Sequence, residues 1–231
     1  MSRFLKQSIA FLVTILLAVA PVAAAPPLAY PELFGTRAIA STNTAQFWRW
    51  NGMLARWHDE VRHASRPCPE GVWKLCEPAE WVRLVRELRD LPDRVKVERV
   101  NAALNRYPYT PSIKNWHESN YWETPFEFLR KSGQCQDYAI AKFMLLRALG
   151  VPNDRLRIVV LRDAILQLDH AVVVVEIEGQ ALMLDNQFKR VMRPSDVQHY
   201  LPYYSINESG WWLHLKKPVP PETSSQEIAS R

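Results

Sequence analysis

Apolar residues in the segment EPAEWVRLVRELRDL, residues 77–91, fall at Trp81, Leu84, Val85 and Leu88, with charges between them. Spacings of three and four residues place these side chains on one stripe, so the segment predicts an amphipathic helix. Pro92 interrupts it and can open a second helix through about Arg106, with Val95, Val100 and Leu104 facing the core. Upstream, residues 41–62 carry Phe47, Trp48, Met53, Leu54 and Trp57 in a mixed pattern compatible with a helix. Further along, Thr124, Pro125 and Glu127 spell a capping box with proline at the first helical position, and Phe126 and Leu129 anchor a short helix. Gly133 then permits a break. The stretch SGQCQDYAIAKFMLLRALG predicts a new helix from Cys135 to Leu149, with Tyr138, Ala141, Leu145 and Leu149 on one side and Gly150 and Pro152 as stop signals.

After residue 155 the period changes. LRIVVL reads as a strand, RDAILQLD as a connection, and HAVVVVEIEGQALMLDNQ as two strands around a tight turn containing Gly179. WWLHLKK supplies a final strand. Helices first and antiparallel strands later predict one α+β domain. A turn at Glu178-Gly179 sets Asp185 opposite Val172, and a turn at Gly179-Gln180 sets it opposite Val174. Both registers put His170 and Asp185 on one face of the ribbon, the first within diagonal reach at roughly 7–8 Å between backbone centres.

Composition narrows the setting. The 231 residues are 48% hydrophobic and include nine tryptophans, which suits a folded domain rather than a disordered chain. The start, MSRFLKQSIAFLVTILLAVAPVAAAPP, has basic Arg3 and Lys6, an apolar run and small residues before a cleavage point, so residues 1–24 read as a signal peptide. An uncleaved membrane anchor is the alternative. Residues 25–217 form the expected domain, and 218–231, without apolar periodicity, an expected disordered tail. The site of action is then the periplasm or the exterior. Loss of the leader lowers the formal charge from +5 to +3, and the basic residues lie dispersed among acids, which argues against nucleic acid as a partner.

Three cysteines follow the leader. In an oxidising compartment Cys68 and Cys76 of CPEGVWKLC can close a short loop, leaving Cys135 free; pairing of Cys135 with either of them is the alternative. No CxxC or HExxH set suggests zinc. Cys135 falls in the first turn of its helix, where unpaired N–H groups and the positive dipole end favour negative charge. A thiolate there, an imidazole at His170 to return a proton to a leaving amine, and a carboxylate at Asp185 to orient the imidazole are the parts of a nucleophilic triad.

The segments NYWETPFEFLRKSGQCQDYAIAKFMLLRALGV and LDHAVVVVEIEGQALMLDNQ resemble the bacterial transglutaminase-like cysteine proteinases, related to periplasmic enzymes that clip large surface adhesins. The family's cysteine, in a C-x-D-Y-A-x-x-K setting, matches Cys135 with Asp137, Tyr138, Ala139 and Lys142. Its histidine before an apolar strand matches His170, and its aspartate in an L-D-N setting matches Asp185 before Asn186. The resemblance implies a papain- and transglutaminase-like fold, a Cys-His-Asp triad, a protein or peptide substrate such as a cell-surface adhesin, and an inner-membrane regulatory partner.

One departure matters. Acidic residues flank the cysteine in the adhesin-cleaving relatives and contribute to a calcium site, whereas here the flanks are Gln134 and Gln136. A glutamine offers a hard cation one neutral oxygen in place of a charged carboxylate, so calcium dependence is not carried over; no cofactor is required, with calcium kept as the alternative. Candidate oxyanion donors are the Cys135 N–H with Gln134 or the Trp122 indole, although Gln134 equally suits a helix cap and Trp122 a packed aromatic. The reading is a cysteine endopeptidase; acyl transfer to an amine, or an inactive binding protein on the same fold, are the alternatives.

Overall fold

The computed structural model describes residues 33–64 and 78–217. The expected leader at 1–24, the tail at 218–231 and the pair Cys68 and Cys76 lie outside the described residues. Helices and strands segregate along the chain much as the periodicity implies. Helices α1 (Trp48–Ala64), α2 (Ala79–Leu88), α3 (Asp93–Leu104), α4 (Ser112–Trp116), α5 (Pro125–Lys131) and α6 (Cys135–Ala148) precede most of the sheet. Strand β1 (Thr36–Ser41) comes before them, and β2 (Leu156–Asp163), β3 (Leu168–Ile177), β4 (Gln180–Leu184), β5 (Tyr200–Asn207) and β6 (Gly210–Lys216) follow. They form one antiparallel sheet in the order β1-β6-β5-β2-β3-β4, giving the α+β fold.

Alternation along β3 divides the apolar residues between two layers. Ala171, Val173 and Val175 join a core with Ile140, Phe143 and Leu145 of α6, whereas Val172 and Val174 face a second cluster with Met183, Val197, Tyr200 and Leu33. Covered on both faces, β3 tolerates an uninterrupted run of valines. Helix α6 departs from the one-sided pattern: every residue from Gln136 to Leu146 is buried, because α3 and α5 cover one side and the sheet the other. Edge-to-face contacts lock the helical layer, with Trp57, Trp81 and Phe126 mutually 4.9–5.6 Å apart and Trp50 at 5.8 Å from Phe143. Such pairs contribute about 0.5–1.5 kcal/mol each beyond the area they bury.

Several elements differ from expectation. In α3 it is Val97, not Val95, that is fully buried beside Val100 and Leu104, since the helix begins at Asp93 and turns Val95 toward the boundary. The connection expected at RDAILQLD is shorter than the whole segment: β2 runs to Asp163 and β3 starts at Leu168, and Asp163 Oδ1 accepts from the N–H groups of Ile165 and Leu166 in the turn between them. Strands β1 and β5 carry weaker signals. Pro202 breaks the pattern of β5, and the sheet absorbs it at an irregularity where Val160 pairs with Tyr204 but Leu161 with Pro202.

Candidate active site

The β3–β4 hairpin settles the register. Ile177 pairs with Gln180 and Val173 with Leu184, so the two-residue turn is Glu178-Gly179, both at positive φ. This register carries the residue after Leu184 to the position opposite Val172. His170 and Asp185 consequently meet: the imidazole Nε2 donates to Asp185 Oδ1 at 2.8 Å. Both side chains are withdrawn from solvent.

Asp185 is saturated with donors. Its Oδ1 also accepts the Gln187 N–H at 2.8 Å, and its Oδ2 accepts the Tyr200 hydroxyl at 2.7 Å. The backbone is clamped separately, with Nδ2 of Asn105, the residue that caps the end of α3, donating to the Asp185 carbonyl at 2.8 Å and to the Phe188 carbonyl at 3.0 Å. Burial opposes ionisation of Asp185, but the bonds from His170, Gln187 and Tyr200 outweigh it and hold the carboxyl below its usual range. For His170, burial lowers the pKa while hydrogen bonds and charge from Asp185 and Cys135 raise it, and the latter prevail, pushing it up to about 9. With Nε2 committed to Asp185, Nδ1 is the ring nitrogen left for Cys135.

Cys135 opens α6 as a free thiol, partly exposed, with Sγ 3.6 Å from Gln136 Oε1. The approach to it is built by capping. Thr124 Oγ1 accepts the Glu127 N–H at 3.2 Å and Glu127 Oε2 accepts the Thr124 N–H at 2.8 Å, the reciprocal box expected at the start of α5. At the far end of α5 the sharp reorientation falls on Ser132, at φ 61°, rather than on Gly133. Gly133 serves a close approach instead: a Cβ there would lie 2.6 Å from Asp137 Cβ and Oδ2. Asp137 then accepts the Gln134 N–H at 2.8 Å and the Glu123 N–H at 2.9 Å, tying the start of α6 to the segment before α5. A strap from the end of α3 closes the other side, where the Thr110 N–H donates to the Gly133 carbonyl at 2.9 Å and leaves Tyr109 exposed near Cys135.

The two candidate oxyanion donors are differently engaged. Gln134 Oε1 accepts from Ser112 Oγ at 3.0 Å, which leaves its NH2 group as the free end. The Trp122 indole N–H is spent on Asn120 Oδ1 at 3.1 Å, and its ring packs against the helical core. Sequence reasoning missed Tyr200, Asn105 and Ser112. Tyr200 and Asn105 lie in segments where no local pattern separates a tyrosine or asparagine that touches Asp185 from one facing water.

The two side chains flanking Cys135 are neutral amides, a weaker match to calcium than carboxylates. This cation takes six to eight oxygen ligands, several of them charged. The Gln134 oxygen is bonded to Ser112, both Asp137 oxygens are occupied by backbone N–H groups, and Gln136 Nε2 adds a donor at 3.4 Å to Asp137 Oδ2. Glu123 holds Trp116 Nε1 at 2.6 Å through one oxygen and buries the other. Among the described residues no group of three or more His, Cys, Asp or Glu is placed to hold a metal ion.

The family model of the bacterial transglutaminase-like cysteine proteinases matches residues 76–219. LapG of Legionella pneumophila is 28% identical, with 68% of this chain and 86% of that one covered and a TM-score of 0.55. Its EGTA-treated form shares the same identity and TM-score with 84% of that chain covered, and its calcium-bound form repeats the first values. No curated protein sequence matches the chain.

Proposed function

The chain belongs to the bacterial transglutaminase-like cysteine proteinases, and from that premise we propose that Cys135, His170 and Asp185 are the triad with which it hydrolyses peptide bonds. The observation that carries this reading is the 2.8 Å bond from His170 Nε2 to Asp185 Oδ1, which leaves the opposite ring nitrogen to the Cys135 thiol. Cys135 Sγ attacks the scissile carbonyl, and the negative charge on the carbonyl oxygen is met by the Cys135 N–H with the Gln134 amide as second donor. Trp122 would have to give up Asn120 to take that part. His170, charged and aligned by Asp185, passes its proton to the leaving amine, then as the neutral base activates the water that releases the acyl group. Asp185 stays ionised throughout.

The enzyme acts on protein outside the cytoplasm, in the periplasm or secreted, after removal of residues 1–24. A surface adhesin is the substrate suggested by its relatives, with an inner-membrane protein as regulator. The neutral Gln134 and Gln136 beside the nucleophile support catalysis that does not require calcium, with a calcium-dependent enzyme as the alternative. A digest of cell-surface protein tests the set of statements. Residues 25–231, wild type and Cys135→Ala, are compared with and without EGTA and with a primary amine added. New peptide termini in the wild type alone, unaffected by EGTA, are expected. Amine adducts without new termini would establish acyl transfer instead, and no Cys135-dependent product would leave a binding protein.

A further inference from the structure

Lys142 is the one lysine in α6, and its side chain is completely buried. Its Nζ has no hydrogen-bond partner, and the nearest aromatic face, Tyr138, is 5.9 Å away at the outer limit of a cation-π contact. A buried amine without a partner costs stability, and a methionine of similar length would fill the same space without that cost. Nothing in the packing of α6 calls for a lysine at this position. The surroundings direct attention to the triad: Asp185 is the charged group whose field acts on Lys142.

The elements around it present few other charges. Helix α3, packed on α6, contributes Lys96, whose Nζ is held by Asp93 at 3.1 Å, and Asn101, with Asn105 just past its end; both amides donate to the loop after β4. That loop contributes Asp185 and Asn186, and β3 contributes His170, already paired with Asp185. Asn101, Asn105 and Asn186 each keep a buried side-chain oxygen without a partner, and the loop's own cations, Lys189 and Arg190, are exposed to solvent.

During the cycle proposed above the imidazole alternates between charged and neutral. When His170 has given its proton away, the buried Asp185 carboxylate loses its counter-ion while Tyr200 and Gln187 supply dipoles only. An isolated buried carboxylate is costly, and the cost opposes the forward step. Resting on the triad reading, we propose that Lys142 is a positioning residue that serves as a standby counter-ion for Asp185, carrying the positive charge when His170 is neutral. Burial pushes the amine down to about 7 against the opposing pull of Asp185, so the group can take up or release a proton near neutral pH as its neighbours change. The depression of Asp185 with the imidazole charged comes from His170, Gln187 and Tyr200; the part proposed for Lys142 belongs to the state in which that imidazole is uncharged.

The test is Lys142→Met in the mature enzyme. Without the second cation Asp185 holds the His170 proton more tightly, which makes His170 a poorer acid. The expected result is a melting temperature equal to or above wild type, unchanged KM, kcat reduced about threefold or more, and an alkaline limb of the kcat profile moved up by about half a pH unit. A folded variant with wild-type kcat and pH profile would overturn the proposal, as would a destabilised one whose folded fraction is fully active. Should Lys142→Met fail to fold, Asp185→Asn read by 13Cε NMR of Lys142 decides: its deprotonation midpoint should fall by about half a pH unit or more, and an unmoved midpoint refutes the coupling. A wild type without Cys135-dependent activity would fail the triad reading itself, and this inference with it.

Discussion

Two aspartates, Asp137 and Asp185, are almost equally buried and lie close to the same cysteine, yet their carboxyls move in opposite directions. Asp185 faces an imidazolium, a tyrosine hydroxyl and a backbone N–H, and is held below the usual carboxylate range. Asp137 takes two backbone N–H groups but has Glu123 for a neighbour; burial first, and then that second acid, raise it well above the usual range. Burial alone therefore says little about the charge of a carboxyl. What decides is whether its partners include a cation or an acid. The first aspartate is suited to holding a charged histidine, and the second to holding backbone.

The contrast breaks most severely at Asp185→Asn. An amide in place of the carboxylate removes the pull on Nε2 and permits the wrong tautomer, so kcat should fall by about 10³-fold or more while the fold survives, as steady-state kinetics and circular dichroism would show. Gly133→Ala attacks the other aspartate. The added methyl group meets Asp137 at 2.6 Å, and unfolding in urea should reveal a loss of about 1–3 kcal/mol. Tyr200→Phe deletes one donor from Asp185 and should cost about 1 kcal/mol of stability, with a kcat deficit of about tenfold or less.

Glu123→Gln sharpens the comparison with the smallest effect. Glu123 is raised to about 7 by burial, so charging it in the folded state is unfavourable. A raised acid lowers stability as pH climbs from the unfolded value near 4.5 toward 7 and leaves a constant deficit above that. The variant should consequently melt higher than wild type at pH 8, by about 1 kcal/mol or less, with the gain vanishing below about pH 4.5. The triad has its own signature. His170, raised to about 9, contributes stability that is complete below about 6.5 and fades as pH rises through 9, while Asp185, depressed, contributes stability lost only as pH falls below about 3.8.

How much of this was legible depended on whether the signal was local. Thr124, Pro125 and Glu127 announce their cap within four residues, and Gly179 limits the hairpin to two registers, either of which puts His170 and Asp185 on the same face. The bulged β5 was not legible, because Pro202 disrupts the alternation that the sheet accommodates only by pairing with β2. Nor was the full burial of α6, since Lys142 and Asp137 are polar residues whose concealment depends on helices and strands distant in the chain. The partners of Asp185 from the end of α3 and from β5 are long-range by nature: Asn105 and Tyr200 acquire meaning only when the fold brings them beside the loop.

The claim that most depends on three side chains acting as one is best tested by covalent labelling of the mature enzyme with a peptidyl vinyl sulfone, read by intact mass and peptide mapping. A single adduct on Cys135 is predicted, forming at least about a hundredfold more slowly in His170→Ala. Labelling of folded His170→Ala at the wild-type rate, or a wild type that leaves Cys135 unmodified, would contradict it.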